Sequence, residues 1–145
     1  FQIVQQEPSI ILDVAHNPHA AAVLARNLRE MGCHGMTHAV FGAMADKDID
    51  GVIALMKDCV DRWYLTDLPL PRAASAEALK QKLVAAGIQD DGTGQRISVY
   101  HRAADALTGA KNNARKNDRI VAFGSFWVVT GVTQDPDRDS STNHH

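Results

Sequence analysis

Ile10-Ile11-Leu12-Asp13-Val14-Ala15-His16-Asn17-Pro18 decides the reading of this chain. An apolar run (Ile10, Ile11, Leu12, Val14) breaks off into Asp13, His16 and Asn17, and Pro18 then opens a helix. Proline suits the first helical turn, because its missing N–H would have no intrahelical partner there. Asn17 falls at the N-cap position, where its side chain can accept a bond from a free helix N–H. The stretch therefore predicts a strand–turn–helix corner, with a carboxylate, an imidazole and an amide beside unpaired N–H groups. Such corners hold ligands at the carboxyl ends of strands in open α/β sheets. The partial positive charge of a helix start favours anions there.

Outward from this corner, strand and helix signals alternate. Gln2–Val4 reads as a short strand and Ser9–Val14 as a buried one. A helix follows with Ala21, Leu24, Leu28 and Met31 on one face, stopped by Gly32. Thr37–Phe41 is the next strand, and Ile49, Val52, Ile53, Met56 and Val60 trace a second helical stripe. Arg62–Thr66 is a strand that enters the proline-bounded loop Asp67–Ala74. Ser75 caps a third helix (Ala78, Leu79, Leu83, Ala86) ended by Gly87, and Asp90–Gln95 is a turn-rich connection. Ile97–Tyr100 is a strand, and Ala103, Ala106, Leu107, Ala110 and Ala114 share one face of a fourth helix. Arg119–Phe123 is the last strong strand, before Gly124, Ser125 and an apolar segment to Val132. Strands alternating with helices of roughly 10–15 residues imply βαβ units, a largely parallel sheet and helices on both faces. Residues 1–132 are predicted to form one α/β domain. From Thr133 the chain is polar and reads as a disordered tail.

Composition narrows the function classes. The chain has 145 residues, 45% of them apolar and 22% charged, with a net charge of −2; its pI is about 6.4. These are ordinary globular values. They give no basic field, which argues against nucleic acid or an anionic membrane as a general partner. No apolar run approaches the ~20 residues that span a bilayer, and Phe1-Gln2-Ile3 carries no basic leader. Cys33 and Cys59 lack C-x-x-C spacing and read as free buried thiols in a reducing cytosol. The absence of an initiator Met predicts a fragment or a processed chain.

The Asp13–His19 stretch and its Ala-rich helix resemble the C-terminal domain of the folylpolyglutamate synthase and dihydrofolate synthase family, within the Mur ligase superfamily. Three further segments match in the same order. They are Phe41-Gly42-Ala43-Met44 leading into Asp46-Lys47-Asp48-Ile49, then Pro69-Leu70-Pro71-Arg72-Ala73, then Phe123-Gly124-Ser125-Phe126. The ordered set is far more specific than any one member, and the likeness runs from about Phe1 to Val132. It implies a Rossmann-like, six-stranded, mainly parallel domain that closes over an N-terminal ATPase and folate-binding domain of the same polypeptide. It also implies ATP and Mg²⁺, phosphoryl transfer to the carboxylate of dihydropteroate or a folate, and attack by L-glutamate on the acyl phosphate. The chain lacks a G-x-x-x-x-G-K-[ST] phosphate loop. In this family that loop and most Mg²⁺ ligands lie in the N-terminal domain, and the nucleotide-facing Arg would fall before Phe1. The isolated chain is therefore expected to be inert. Two rival readings are a stand-alone, non-catalytic nucleotide-binding module and a Mur-type domain acting on a cell-wall precursor.

Each candidate residue has a functional and a bland reading. Asp13 can accept ribose hydroxyls of a nucleotide or a substrate ammonium, or it can cap its own turn. His16, the catalytic candidate, can bridge phosphate and incoming glutamate through its two ring nitrogens, or be a structural histidine. Asn17 caps its helix and can also face phosphate. Arg72 can grip a glutamate carboxylate bidentately, or be a solvated loop arginine. Ser125 can bond glutamate or the closing domain interface, or N-cap a helix. Lys47 can reach phosphate, while Asp46 and Asp48 read as a solvated capping cluster. A zinc site is not expected, because neither His16 with His19 nor Cys33 with His34 and His38 shares one helix face. Trp63, Tyr64, Phe126 and Trp127 are expected to pack in the core or at a domain interface.

Overall fold

The structure is a computed structural model and describes residues 1–5, 8–32, 35–90 and 96–133. Six strands form one sheet in the order β1-β2-β6-β3-β4-β5. They are β1 (Gln2–Gln5), β2 (Ser9–Leu12), β3 (Thr37–Phe41), β4 (Arg62–Thr66), β5 (Ile97–Tyr100) and β6 (Arg119–Phe123). β1 runs antiparallel to β2, and every other pairing is parallel. The helices are α1 (Pro18–Met31), α2 (Ile49–Met56), α3 (Ala76–Ala85), α4 (Ala103–Asn113) and α5 (Phe126–Thr133).

The alternation of side chains along each strand fills both faces. Ile11, Phe41, Trp63, Leu65, Val121 and Phe123 pack with α1, α2 and α3 on one side. Ile10, Leu12, Val40, Tyr64, Ile120 and Ala122 pack with α4 and α5 on the other. The expected mainly parallel α/β architecture with helices on both faces is what forms.

Several local readings need correction. β2 ends at Leu12, and Val14 is exposed, because the chain has already turned toward α1. Met31 is also exposed; Ala25 instead joins Ala21, Leu24 and Leu28 on the buried stripe of α1. The second stripe does not stay helical to Val60: α2 tightens into a 3-10 turn over Lys57–Cys59, and Val60 is buried in extended conformation. Of the four aromatics assigned to core or interface, Trp63 and Tyr64 lie in the core and Phe126 and Trp127 are exposed outside it. The final apolar segment is a helix that takes in Thr133. The remaining tail, residues 134–145, lies outside the described residues, as do Cys33, His34 and most of the Asp90–Gln95 connection.

One buried charge is explained by a helix end. Arg119 Nη1 donates to Leu28 O at 2.6 Å, and Nε donates to Thr37 Oγ1 at 2.7 Å. The cation is a second donor to Leu28 O, which also accepts the Gly32 N–H (3.2 Å), and it suits the negative end of the α1 dipole.

Candidate functional site

β2 leads into α1 on one face of the sheet, while its neighbour β6 leads into α5 on the other. This divergence of adjacent strands creates a crevice at their carboxyl ends, where open α/β sheets bind ligands. The Asp13–Pro18 corner forms one lip. Asp13 N–H donates to Ala122 O (3.0 Å), so the corner hangs directly from the ladder. Asp13 Oδ1 accepts the Ala15 N–H (2.8 Å), and Oδ2 lies 3.2 Å from the Phe1 nitrogen. His16 is exposed, and its Nδ1 lies 2.9 Å from Val14 O. Since a carbonyl only accepts, Nδ1 is the protonated nitrogen in this contact, and Nε2 remains available outward. Asn17 has extended backbone, and its Oδ1 accepts the Ala20 N–H at 2.9 Å. The N-cap reading of Asn17 is thus realised.

The other candidates sit on loops at the same edge. Ser125 is buried; its Oγ accepts the Trp127 N–H (3.1 Å), and its carbonyl accepts the N–H groups of Val128 and Val129. That is the helix-capping geometry anticipated for it, and it leaves the hydroxyl proton to donate. Lys47 is exposed on the β3–α2 loop beside Asp48, whose Oδ1 caps α2 by accepting the Gly51 N–H (3.0 Å). Arg72 is also exposed, but its backbone is strapped to the β3–α2 loop. Ala45 N–H donates to Arg72 O (2.8 Å), Ala74 N–H donates to Ala43 O (2.9 Å), and Met44 and Ala73 form an isolated antiparallel bridge.

Two close approaches knit these loops together. Gly124 has φ +108°, and a Cβ there would run into Gly42 O and lie 2.7 Å from the Phe41 ring. Only glycine lets the β6–α5 turn nestle against the β3–α2 turn. A Cβ on Gly51 would lie 2.8 Å from Pro18 Cγ, which places the starts of α1 and α2 in contact. The fold thereby gathers the loops of Asp13, His16, Asn17, Lys47, Arg72 and Ser125 on one edge. None of these side chains bonds to another of the six.

The sequence did not single out Asp67 and His101. Asp67 ends β4; its Oδ1 accepts the Ala76 N–H (2.6 Å), and its Oδ2 lies 2.9 Å from His101 Nδ1. The Ala76 N–H, followed by the His101 bond, holds the Asp67 carboxyl below the usual carboxylate range. Its place just past a strand, like that of Asp13 after β2, was the available signal. Its partner was not readable, being 34 residues away. His38, considered for a metal site, is instead buried between Tyr64 and Asp118. Among the described residues no three His, Cys, Asp or Glu side chains gather as metal ligands, and no helix is long and apolar enough to cross a membrane.

Residues 1–126 match the family model described as Mur ligase, glutamate ligase domain. The chain is 39% identical over 134 residues to the dihydrofolate synthase/folylpolyglutamate synthase of Escherichia coli K12, covering 92% of this chain and 29% of that protein. It is 31% identical over 129 residues to a probable bifunctional folylpolyglutamate synthase/dihydropteroate synthase of Halobacterium salinarum, covering 89% and 15% respectively. Among solved structures, E. coli FolC in complex with ADP superposes with a TM-score of 0.85 at 36% identity, over 97% of this chain and 32% of that one. The Yersinia pestis bifunctional folylpolyglutamate synthase/dihydrofolate synthase, complexed with AMPPNP and Mn ion, gives 0.82 at 36% identity, over 92% and 30%. The chain thus spans about three tenths of the E. coli relative's length. By its sequence and its six-stranded fold, this chain belongs to the Mur ligase family and corresponds to that family's glutamate ligase domain.

Proposed function

We propose that the chain is the C-terminal domain of an ATP-dependent ligase that adds L-glutamate to dihydropteroate, to folates, or to both. The observation that carries this reading is the Asp13–His16–Asn17 corner at the sheet's crevice, in a chain whose described length aligns with such ligases. In the proposed reaction an acceptor carboxylate oxygen attacks the γ-phosphorus of ATP, releasing ADP and leaving an acyl phosphate. The glutamate amine then attacks the acyl carbon, loses a proton and expels phosphate.

This domain's part is to bind and orient. Asp13 accepts the ribose hydroxyls, and Asn17 with the first N–H groups of α1 faces phosphate. Nε2 of His16 lies between phosphate and the incoming amine. Arg72 grips a glutamate carboxylate as a fork, and the Ser125 hydroxyl donates to the same ligand. Lys47 reaches phosphate across the cleft. Mg²⁺ supplies neutralisation of phosphate charge. Asp13 is the carboxylate of the corner itself, and the ligands of Mg²⁺ would come mainly from the N-terminal domain. Closure of the two domains excludes water and positions the amine, effects that lower barriers by several kcal/mol. The chain alone, without a phosphate loop, is inert in this reading, which places the enzyme in the cytoplasm.

A hybrid enzyme tests the proposal. The C-terminal domain of the E. coli relative is replaced by residues 1–133 of this chain, and ATP-dependent incorporation of labelled glutamate into dihydropteroate and tetrahydrofolate is measured. Ligation is expected with at least one acceptor. A folded hybrid that hydrolyses ATP but ligates glutamate to neither would overturn the reading, as would ligation by the chain alone.

A further inference from the structure

A cavity of about 340 Å³ opens at the carboxyl ends of β4 and β5, between the start of α4 and the first turns of α5. Its volume lies near the lower end for small-molecule sites. Leu68 and Pro69 give it an apolar floor, and Trp127, 42% exposed, supplies an aromatic wall. Its polar rim is His101, Asp67 and Arg102. Asp67 holds Nδ1 of His101, which turns Nε2 away from the carboxylate. Nε2 and the Arg102 guanidinium have no hydrogen-bond partner among the described residues. We propose that this cavity is a subsite for an aromatic carboxylate. Its occupant would be the aminobenzoyl-glutamate end of the acceptor, an identification that rests on the function proposed above.

The wall and the rim ask for different halves of one ligand. A flat ring buries apolar area against Trp127, Leu68 and Pro69. A carboxylate suits the unpaired guanidinium and the imidazole beside it. Free glutamate would leave the aromatic wall uncovered, and a phosphate would face an apolar floor. Location agrees: one wall continues into the loop of Arg72, and the other is the helix capped by Ser125. The crevice and this cavity open at the same carboxyl edge of the sheet.

The test is a titration of the full 145-residue chain with p-aminobenzoyl-L-glutamate, followed by backbone amide shifts. Saturable shifts are expected at residues 101–104 and 127–131. Arg102→Gln and Trp127→Ala should each weaken binding at least tenfold, and Trp127→Phe should largely restore it. L-Glutamate at the same concentration should leave the amides of residues 101–104 unmoved, whatever it does beside Ser125. The subsite is overturned if the probe produces no saturable shifts there, or if both variants bind as the parent does. It is equally overturned if L-glutamate shifts the same amides as strongly, since the occupant is then a plain amino acid. Binding here requires no turnover, so an inactive hybrid enzyme with an intact titration would sink the ligase reading alone. An active hybrid without the titration would sink the subsite alone.

Discussion

Nε2 of His38 lies 2.9 Å from Oδ2 of Asp118, a residue 80 positions away, and this pair ties the amino ends of β3 and β6 together. The bond belongs to a chain of donors. Asn113 Nδ2 donates to the Tyr64 hydroxyl (3.2 Å), which lies 2.9 Å from His38 Nδ1. Asp118 also accepts the N–H groups of Met36 (2.8 Å) and Arg115 (3.0 Å). His38 and Tyr64 are buried, so each has its polar atoms satisfied inside the protein.

Replacing His38 by leucine removes one donor from a buried carboxylate and leaves the Tyr64 hydroxyl with its Asn113 bond alone. Loss of one partner in such a buried set costs about 3 kcal/mol. Tyr64→Phe removes two neutral bonds, to His38 and from Asn113, and should cost about 2 kcal/mol. Urea unfolding of the two variants should reproduce this order, and equal costs would refute it.

The carboxylates make stability depend on pH. Burial pushes the Asp118 carboxyl up, but hydrogen bonds from Arg115 N–H, His38 and Met36 N–H outweigh it, leaving the group below its ordinary range. Asp67 is depressed as well, chiefly by the Ala76 N–H. Both bind a proton less readily folded than unfolded. Their contribution is complete above the ordinary value of about 4 and is lost as pH falls through it toward the lower folded values. Asp67→Asn should flatten the acid limb of urea midpoints collected from pH 7 to pH 3.

Tyr64 titrates in the opposite sense. Burial raises its hydroxyl above the ordinary value of 10.0. Its stabilisation holds below that value and drains as pH climbs past it, so Tyr64→Phe should lose less stability than the parent between pH 9 and pH 11.

Gly124→Ala forces a Cβ against Gly42 O at a backbone angle that side chains rarely adopt. Strain and clash together should cost about 3 kcal/mol. Because Ser125 follows directly, the hybrid enzyme should also bind glutamate more weakly. A thermal midpoint unchanged by this substitution would refute the close approach of the two turns.

The corner separates capping from chemistry. Asn17→Ala removes the bond to Ala20 N–H and should destabilise by about 1 kcal/mol. His16 is exposed and bonded only to Val14 O, so His16→Ala should leave unfolding nearly unchanged. In the hybrid enzyme the same change should cut turnover or raise the glutamate KM at least tenfold. Parental kinetics would remove His16 from the site.

The strands and helix caps were legible because each rests on local physics. Buried runs such as Arg119–Phe123 and caps such as Asn17 and Ser75 need no distant partner to be recognised. Met31 misled because one turn of periodicity continues past the point where the helix leaves the sheet. The choice between core and interface stayed open for Trp127, because its aromatic character says nothing about which way its helix turns it. The Asp67–His101 and His38–Asp118 pairings were out of reach, since each joins residues that only the assembled sheet brings together. Ser125 was readable as a cap or a ligand group, and its geometry accommodates both.

The position of β6 between β2 and β3 carries a consequence for biosynthesis. The strand that occupies the middle of the sheet is the last to leave the ribosome. Until residue 123 emerges, the nascent chain holds two separate ribbons, β1-β2 and β3-β4-β5, each with a bare edge where β6 belongs. Such edges invite pairing with other chains. A nascent chain stalled anywhere before Arg119 would be a client for chaperones, however complete its other strands.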